Sequence, residues 1–273
     1  MAGTEQSDVQ VGDSVQRCRA QLAAVGRGRG RVRLHRDGDV AQLVMDSADA
    51  RNALSPGMMM DFGAAVDALE GGPEAAVVLR GEGTRAFCAG GDLASVRSHL
   101  LSTDLAQAMS VCMQDSLARL QSLPLVRIVA LEGAAIGGGA ELLTVGDRVF
   151  AGRSARVGFV HASLGVSPGW GGGGRLVDRV GALRALRVLT HTGLLSSEDA
   201  LLMGIVDDVV GDGTALDHAL AWARELAQLP RAALAAAVQV SRGLDPAAER
   251  AVFLSLWGGE AHREALERTR QGR

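Results

Sequence analysis

Two glycine-rich turns contain the residue types in this sequence that are best suited to chemistry on a carbonyl group. The first reads FCAGGDL at residues 87–93, and the second places Gly137, Gly138 and Gly139 shortly before Glu141. Glycine has no Cβ, so its backbone can press against a ligand, and the first N–H groups of a helix have no intrahelical acceptor. Two such N–H groups directed at one carbonyl oxygen would form an oxyanion hole.

Each turn follows an apolar segment and opens a helical pattern, which is how a fold would position such N–H groups. Residues 76–80 and 126–131 are predicted strands, and the β-branched residues of the second predict a buried strand. Helices are predicted near residues 94–101 and from residue 140 onward. Repeated strand–turn–helix units imply right-handed crossovers and a mainly parallel sheet, so the predicted fold class is α/β.

Further elements surround this centre. The pattern predicts a hairpin that turns at Asp37 and Gly38, and a helix that Ser55 caps and that runs to residue 69. Helices are also predicted over residues 104–122 and 176–189 and through most of residues 215–270. Residues 1–30 are predicted to be a flexible extension in which residues 13–25 form a short helix.

Composition excludes several kinds of catalysis. All 28 basic residues are arginine, so Schiff-base, pyridoxal-phosphate and biotin chemistry at a lysine and a P-loop lysine are excluded. The chain also has no tyrosine. Carboxylates, the six histidines and the thiols therefore remain as acid–base candidates.

Charge and cysteine content argue against several partners. The net charge of -3 gives no reason to expect nucleic acid. The three cysteines form no CxxC pair, which argues against a disulfide framework and a metal site and suits a reducing, cytoplasmic location. We expect no membrane association and no signal peptide, since no apolar run approaches the roughly 20 residues of a membrane span.

The two glycine motifs, together with RNALS at residues 51–55 and PGWGG at residues 168–172, resemble the crotonase (enoyl-CoA hydratase/isomerase) superfamily. The resemblance covers residues 30–273. It implies a crotonase-like ββα spiral core over residues 31–195 and a C-terminal helical trimerisation region over residues 196–273. It also implies a homotrimer or a dimer of trimers that acts on an acyl-coenzyme A substrate without an added cofactor.

Additional segments indicate which members of the superfamily the chain resembles most. Segments such as FVHASLGVSPGWGG at residues 159–172 and LWGG at residues 256–259 are closer to members that decarboxylate ethylmalonyl- or methylmalonyl-CoA than to hydratases. Hydratases of the superfamily use two glutamates at the substrate double bond. Here Glu141 matches the first, but His161 stands at the second position, which argues against ordinary water addition. A hydratase or isomerase with Glu141 as acid or base, and a non-catalytic scaffold, remain as alternatives.

The resemblance implies that Gly91 and Gly138 supply the oxyanion hole for a thioester enolate. The enolate then needs a proton at Cα, and His161 and Glu141 are the candidates to deliver it. Residues along the coenzyme A arm would be Arg51, Ala53, Leu54, Ala89 and Gly90. Trp170, with Phe159, would form an apolar wall that favours loss of a carboxylate as neutral CO2.

Overall fold

The computed structural model describes residues 2–94 and 102–271, with side chains from residue 13 to residue 270 outside the gap. The described strands are β1 (Arg31–Asp37), β2 (Val40–Asp46), β3 (Ala76–Gly81), β4 (Ala86–Cys88), β5 (Val126–Leu131), β6 (Ala134–Ile136), β7 (Arg148–Gly152), β8 (Arg156–Gly158), β9 (Leu195–Ser196) and β10 (Asp208–Val210). The described helices are α1 (Ala2–Val25), α2 (Pro56–Leu69), α3 (Thr103–Ser122), α4 (Gly138–Leu143), α5 (Gly172–Val180), α6 (Ala182–Leu189), α7 (Ser197–Met203), α8 (Ala215–Ala227), α9 (Arg231–Ser241), α10 (Pro246–Leu256) and α11 (Glu260–Gln271).

The strands form two sheets built from a repeating unit. One sheet has the order β1-β2-β3-β5-β7-β10, and the other has the order β4-β6-β8-β9. The successive pairs β3/β4, β5/β6 and β7/β8 each give one strand to each sheet, and strands of consecutive pairs run parallel. Helices α4 and α5 follow the second and third pairs. The predicted α/β class and its ββα spiral are confirmed.

The predicted hairpin at Asp37 and Gly38 and the predicted Ser55 cap are both present in the structure. β1 and β2 form an antiparallel hairpin with Arg31 opposite Asp46, and Gly38 in the turn has φ of 58°. Ser55 caps α2, because its hydroxyl oxygen accepts a hydrogen bond from the Met58 N–H at 3.3 Å. This cap satisfies one of the helix's free N–H groups and fixes where the preceding loop ends.

Both faces of the large sheet are buried, which explains its continuous apolar strands. In β5, Val129 and Leu131 face the main core under α2 and α3, whereas Ile128 and Ala130 face a second layer under α8. Side chains alternate between the faces of a strand, so a strand covered on both faces must be apolar throughout. The prediction of a buried strand leading into the second glycine turn is therefore confirmed.

Two segments differ from expectation, and a third lies mostly outside the described residues. The helix predicted over residues 176–189 is split into α5 and α6, because Gly181 adopts φ of 81°. Helix α1 starts at Ala2, and its Cys18 and Leu22 belong to the main core, so residues 13–25 pack against the body instead of forming a flexible extension. Of the helix predicted over residues 94–101, Ala94 lies in a turn, and the rest lies outside the described residues.

The C-terminal part is helical, as the pattern predicts. α8 covers the large sheet, while α10 and α11 expose large apolar side chains, among them Phe253, Leu254 and Trp257. No helix in the described part of the chain is both long and apolar enough to span a membrane.

Candidate active site

The first glycine turn is held in place by the loop at residues 51–54. The Ala89 N–H donates to the Arg51 carbonyl at 3.0 Å, and the Leu54 N–H donates to the Gly90 carbonyl at 2.7 Å. The Asp92 N–H donates to the Leu54 carbonyl at 2.9 Å. In this short parallel pairing, Gly91 is the residue whose N–H is directed away from the loop. No described residue accepts a hydrogen bond from the Gly91 N–H.

Asn52 explains why that loop keeps its shape. The residue is buried and has φ of 55°, in the left-handed region that asparagine tolerates better than most residues. Its amide nitrogen donates to the carbonyls of Glu82 at 3.0 Å and Ala86 at 2.8 Å. The loop is thereby attached to the chain that enters the first glycine turn. Asn52 belongs to the RNALS motif, but nothing in the local sequence predicts this supporting role.

The second glycine turn brings another free N–H to the same place. Gly137, with φ of 56°, donates its N–H to the Gly158 carbonyl at 2.8 Å, and α4 then begins at Gly138. The Gly138 N–H is at the first position of the helix and has no acceptor among the described residues. A Cβ added to Gly90 would lie 3.2 Å from the Gly138 nitrogen, so the two turns are direct neighbours.

Trp170 packs against the start of α4. A Cβ at Gly138 would overlap the six-membered ring of the Trp170 indole, so only glycine fits at this position without displacing that ring. A Cβ at Gly91 would meet the same ring at an ordinary 3.9 Å. Of the two residues expected in an apolar wall, Trp170 is 7% exposed and lines the cavity, whereas Phe159 is buried and does not line it.

Glu141 is buried on α4, and its carboxylate accepts hydrogen bonds from the turn that precedes α5. The Trp170 and Gly172 N–H groups each donate to Oε2 at 2.8 Å, and the Gly169 N–H donates to Oε1 at 3.2 Å. His161 Nε2 lies 3.1 Å from Oε1. A carboxylate offers about four acceptor sites, so these four contacts fill its hydrogen-bonding capacity.

His161 follows β8 at the start of a one-turn helix, Ala162–Leu164, which Gly165 ends with φ of 73°. The Val166 N–H closes this turn on the His161 carbonyl at 3.0 Å. Backbone N–H groups donate to both oxygens of Glu141, so we assign His161 Nε2 as a further donor to Oε1. The other ring nitrogen, Nδ1, is buried and has no hydrogen-bond partner in the described structure.

These groups surround a cavity of about 320 Å³. Of the residues that we predicted for the site, seven line it: Ala89, Gly90, Gly91, Gly138, Glu141, His161 and Trp170. Arg51, Ala53 and Leu54 do not line it, but they support it through the loop that binds the first turn. Larger cavities of about 510 Å³ and 560 Å³ lie against α8 and α9 and among α9, α10 and α11, away from both glycine turns.

Most other lining residues are apolar, and none of them was predicted as a site residue. They include Met59 from α2, Met109 from α3, and Ile136, Val160, Leu164 and Val166 near the second turn. An apolar residue on a helix or strand is usually a core residue, so no local sequence signal distinguishes Met59 or Met109 from their buried neighbours. Asp92 also lines the cavity and accepts a hydrogen bond from the Ala94 N–H at 3.1 Å.

Arg175 and Cys88 lie behind the cavity wall. Arg175 donates to the Trp170 carbonyl at 2.8 Å and to the Thr144 hydroxyl at 3.0 Å. Burial lowers the pKa of its guanidinium, and the negative charge of Glu141 opposes that change. Burial raises the pKa of the Cys88 thiol to about 12, against a smaller opposing effect of a hydrogen bond with Gly90. Cys88 therefore remains a neutral thiol, which agrees with a packing role.

Comparisons with known proteins agree with this architecture. The chain matches the family model described as "Enoyl-CoA hydratase/isomerase" over residues 35–253. It is 36% identical over 262 residues to the ethylmalonyl-CoA decarboxylase of Danio rerio, covering 91% of this chain and 86% of that protein. It is 34% identical over 243 residues to the human ethylmalonyl-CoA decarboxylase, covering 84% of this chain and 78% of that protein.

Solved structures of the family superpose over most of the chain. An enoyl-CoA hydratase from Polaromonas sp. JS666 aligns with a TM-score of 0.80 and 25% identity, covering 89% of this chain and 98% of that one. An enoyl-CoA hydratase from Bacillus anthracis aligns with a TM-score of 0.83 at 23% identity, covering 89% and 97%, which shows the shared fold. The chain belongs to the enoyl-CoA hydratase/isomerase family, the crotonase superfamily.

Proposed function

We propose that this protein is an acyl-CoA lyase that decarboxylates a short-chain alkylmalonyl-CoA, methylmalonyl-CoA or ethylmalonyl-CoA, without an added cofactor. The observation that carries the proposal is the pairing of Glu141 with His161. Glu141 has its four acceptor sites filled, whereas His161 keeps one buried nitrogen unpartnered beside the cavity. The names of the relatives from Danio rerio and human support the same chemistry.

The electron pair released by decarboxylation goes to the thioester. The bond between Cα and the carboxylate carbon breaks, CO2 leaves as a neutral molecule, and the negative charge moves to the thioester oxygen as an enolate. In our proposal the free N–H groups of Gly91 and Gly138 donate to that oxygen. Loss of one oxyanion donor typically costs about 3–4 kcal/mol of transition-state stabilisation, so these two backbone groups account for much of the rate.

His161 supplies the proton in this proposal. In this proposal it enters as an imidazolium, with Nε2–H directed at Glu141, and the bound substrate takes the unpartnered Nδ1–H as its donor. Nδ1–H first donates to the leaving carboxylate and then transfers its proton to Cα of the enolate. Glu141 orients the ring and balances its charge. Solvent then reprotonates His161, so each turnover consumes one proton.

The wall of the cavity favours departure of the carboxylate. Within residues 2–94 and 102–271, no arginine lines it, and the chain has no lysine. An apolar surface formed by Met59, Met109 and Trp170 therefore faces the acyl group. Apart from the His161 ring, the acyl carboxylate meets no cationic side chain of the described residues there, and an apolar surface favours its loss as neutral CO2.

The remaining family expectations are also proposals. The coenzyme A arm would run along the loop at residues 51–54, with the exposed Arg51 near a phosphate and the Ala53 backbone near the adenine. Ala89 and Gly90 would lie beside the pantetheine. The C-terminal helices would join three copies into a homotrimer or a dimer of trimers, and the exposed Phe253, Leu254 and Trp257 support this.

A hydratase or isomerase that uses Glu141 as its base is the second candidate. A base must have a free lone pair for the incoming proton, and the contacts of Glu141 leave none. That candidate would therefore require one of the four donors, a backbone N–H or His161 Nε2, to leave Glu141 during the reaction.

The test is incubation of the protein with malonyl-, methylmalonyl-, ethylmalonyl- and crotonyl-CoA, with mass-spectrometric detection of the products. We expect the alkylmalonyl thioesters to lose CO2, and we expect His161→Gln to lower that rate by about 10²–10⁴-fold. The control is His35→Gln, since His35 is exposed on β1. Hydration of crotonyl-CoA with no loss of CO2 from any malonyl thioester would overturn the proposal.

A further inference from the structure

We propose that Ser110 and Gln114 of α3 are positioning residues that control the Glu141–His161 pair through the peptide bond between Gly169 and Trp170. The inference rests on the proposed function. It concerns how the proton of His161 is held, and it gives a role to two side chains that lie outside the cavity.

The carbonyl end of that peptide is held by α3. The Ser110 hydroxyl donates to the Gly169 carbonyl at 2.6 Å, and the Gln114 amide nitrogen donates to the same oxygen at 2.9 Å. The Gln114 amide also donates to the Ser110 hydroxyl at 2.9 Å. These two residues lie one helical turn apart, so one face of α3 presents both donors to one acceptor.

The N–H end of the same peptide holds Glu141. The described chain has no cis peptide, so the Gly169 carbonyl and the Trp170 N–H point in opposite directions from one rigid plane. The Trp170 N–H donates to Glu141 Oε2 at 2.8 Å. Hydrogen bonds received by a peptide carbonyl polarise its N–H and strengthen the bond that the N–H donates. The chain of bonds therefore runs from α3 through one peptide to Glu141 and on to His161.

The negative charge of Glu141 determines how loss of the α3 hydrogen bonds changes the proton affinity of the Glu141–His161 pair. Hydrogen bonds donated to a carboxylate stabilise its ionised form and reduce its affinity for protons. Without Ser110 and Gln114, the Gly169 carbonyl loses both of its α3 donors, and the Trp170 N–H becomes a weaker donor to Glu141. Glu141 and His161 then hold their shared proton more tightly, and the pair releases it to the enolate less readily.

Other charged groups near the pair are unchanged by these substitutions. Arg175 of α5 acts on Glu141 from behind the cavity, and Asp92 of the first glycine turn lines the same cavity as His161. Arg175 donates to Thr144 and to the Trp170 carbonyl rather than to Ser110 or Gln114. We therefore attribute a change caused by the α3 substitutions to the Gly169–Trp170 peptide.

The experiment compares the Ser110→Ala/Gln114→Ala double variant with the wild-type chain. We expect kcat to fall about tenfold, which corresponds to about 1.4 kcal/mol of activation free energy, with little change in KM. We also expect the alkaline limb of the kcat–pH profile to move upward by about one pH unit. Ser110→Thr, which keeps the hydroxyl, should retain the wild-type profile. Gln107→Ala is the matched control, because Gln107 is exposed on α3 away from the cavity.

A second measurement needs no turnover. The pH titration of the His161 ring, followed by NMR of histidine-labelled protein, should move upward in the double variant and remain unchanged in Gln107→Ala. A double variant that folds but keeps the wild-type titration overturns the inference. If the wild-type chain decarboxylates no alkylmalonyl-CoA, the proposed function fails, and the NMR titration still decides whether α3 controls the pair.

Discussion

His161 Nε2 lies 3.1 Å from Glu141 Oε1, and this contact divides the two ring nitrogens between two tasks. Nε2 is committed to Glu141, while Nδ1 is left buried and unpartnered among the described residues beside the cavity. The contact with Glu141 holds the ring in one orientation, which the proposed proton transfer from Nδ1 requires.

Replacement of Glu141 by glutamine should affect both catalysis and stability. The amide NH2 would face N–H groups that now donate to a carboxylate, and a buried donor left unpaired typically costs about 1–3 kcal/mol. We expect Glu141→Gln to lower kcat by about a hundredfold, within the range for lost acid–base function, and to lower the thermal midpoint.

The control for that prediction is Glu132→Gln. Glu132 also holds a backbone N–H, that of Ala215 at 2.9 Å, but it does not line the cavity. This variant should lose stability and keep its kcat. If Glu141→Gln behaves like Glu132→Gln, Glu141 has only a structural role.

Alanine at Gly138 and at Gly91 should have different kinetic effects. A Cβ at Gly138 would displace the Trp170 ring or the start of α4, so we expect Gly138→Ala to lower kcat by about 10²-fold. A Cβ at Gly91 meets Met59 and Trp170 at 3.9 Å and occupies cavity space, so Gly91→Ala should mainly raise KM.

Steady-state kinetics of both variants, with and without Trp170→Ala, would test this explanation. Removal of the indole provides room for the new methyl group at residue 138. The loss caused by Gly138→Ala should therefore be smaller in the Trp170→Ala background. Equal losses in the two backgrounds would show that the clash with Trp170 is not the cause.

The buried thiols should make the protein less stable at alkaline pH. The Cys88 thiol has its pKa raised from 9.0 to about 12 by burial, and that of Cys112 is raised to about 11 by burial and then by its neighbour Cys18. Unfolded thiols ionise near pH 9, while the folded ones stay protonated. Because the unfolded state then binds fewer protons, the free energy of unfolding should fall above pH 9, by up to about 1.4 kcal/mol per pH unit for each thiol.

Urea unfolding measured between pH 8 and about 11 would test this dependence. That pH range spans the ionisation of the thiols in the unfolded chain. The chain has no lysine and no tyrosine, so few other side chains titrate in that window. Cys88→Ala should reduce the slope of unfolding free energy against pH, whatever its effect on absolute stability. An unchanged slope in both Cys88→Ala and Cys112→Ala would contradict the assignment.

Charge placed on the C-terminal helices should disrupt the proposed oligomer. Phe253 is 53% exposed and Trp257 is 63% exposed on adjoining parts of α10 and its end, and their rings lie 5.2 Å apart. Burial of these rings between copies would be favourable, and a buried glutamate would not be.

We therefore expect Trp257→Glu to convert a trimer or hexamer to a monomer in light scattering coupled to size-exclusion chromatography. Leu183→Glu, at an exposed leucine on α6, should leave the assembly intact. A wild-type chain that is monomeric at micromolar concentration would exclude the proposed trimer.

Several elements could be predicted from the sequence because their signals are local. The apolar run of β5, the three glycines after it, and the Ser55-Pro56 start of α2 each specify a conformation from neighbouring residues alone. The same holds for the free N–H at Gly138, since every helix begins with N–H groups that lack intrahelical partners. Seven of the ten predicted site residues accordingly line one cavity.

Other features depend on residues that are distant in the sequence. Strands β4, β6 and β8 have three residues each, too few for a periodic pattern, and they exist because each pairs with its neighbours in the second sheet. The backbone N–H groups that donate to the Glu141 carboxylate belong to residues 28 to 31 positions later in the chain. Those from α3 to Gly169 span 55 and 59 positions. Residue types thus determined which groups are available for chemistry. Only the tertiary structure decided which of them have filled hydrogen-bonding capacity and which, like Nδ1 of His161, remain free, because partners so far apart in the chain meet only after the sheets assemble.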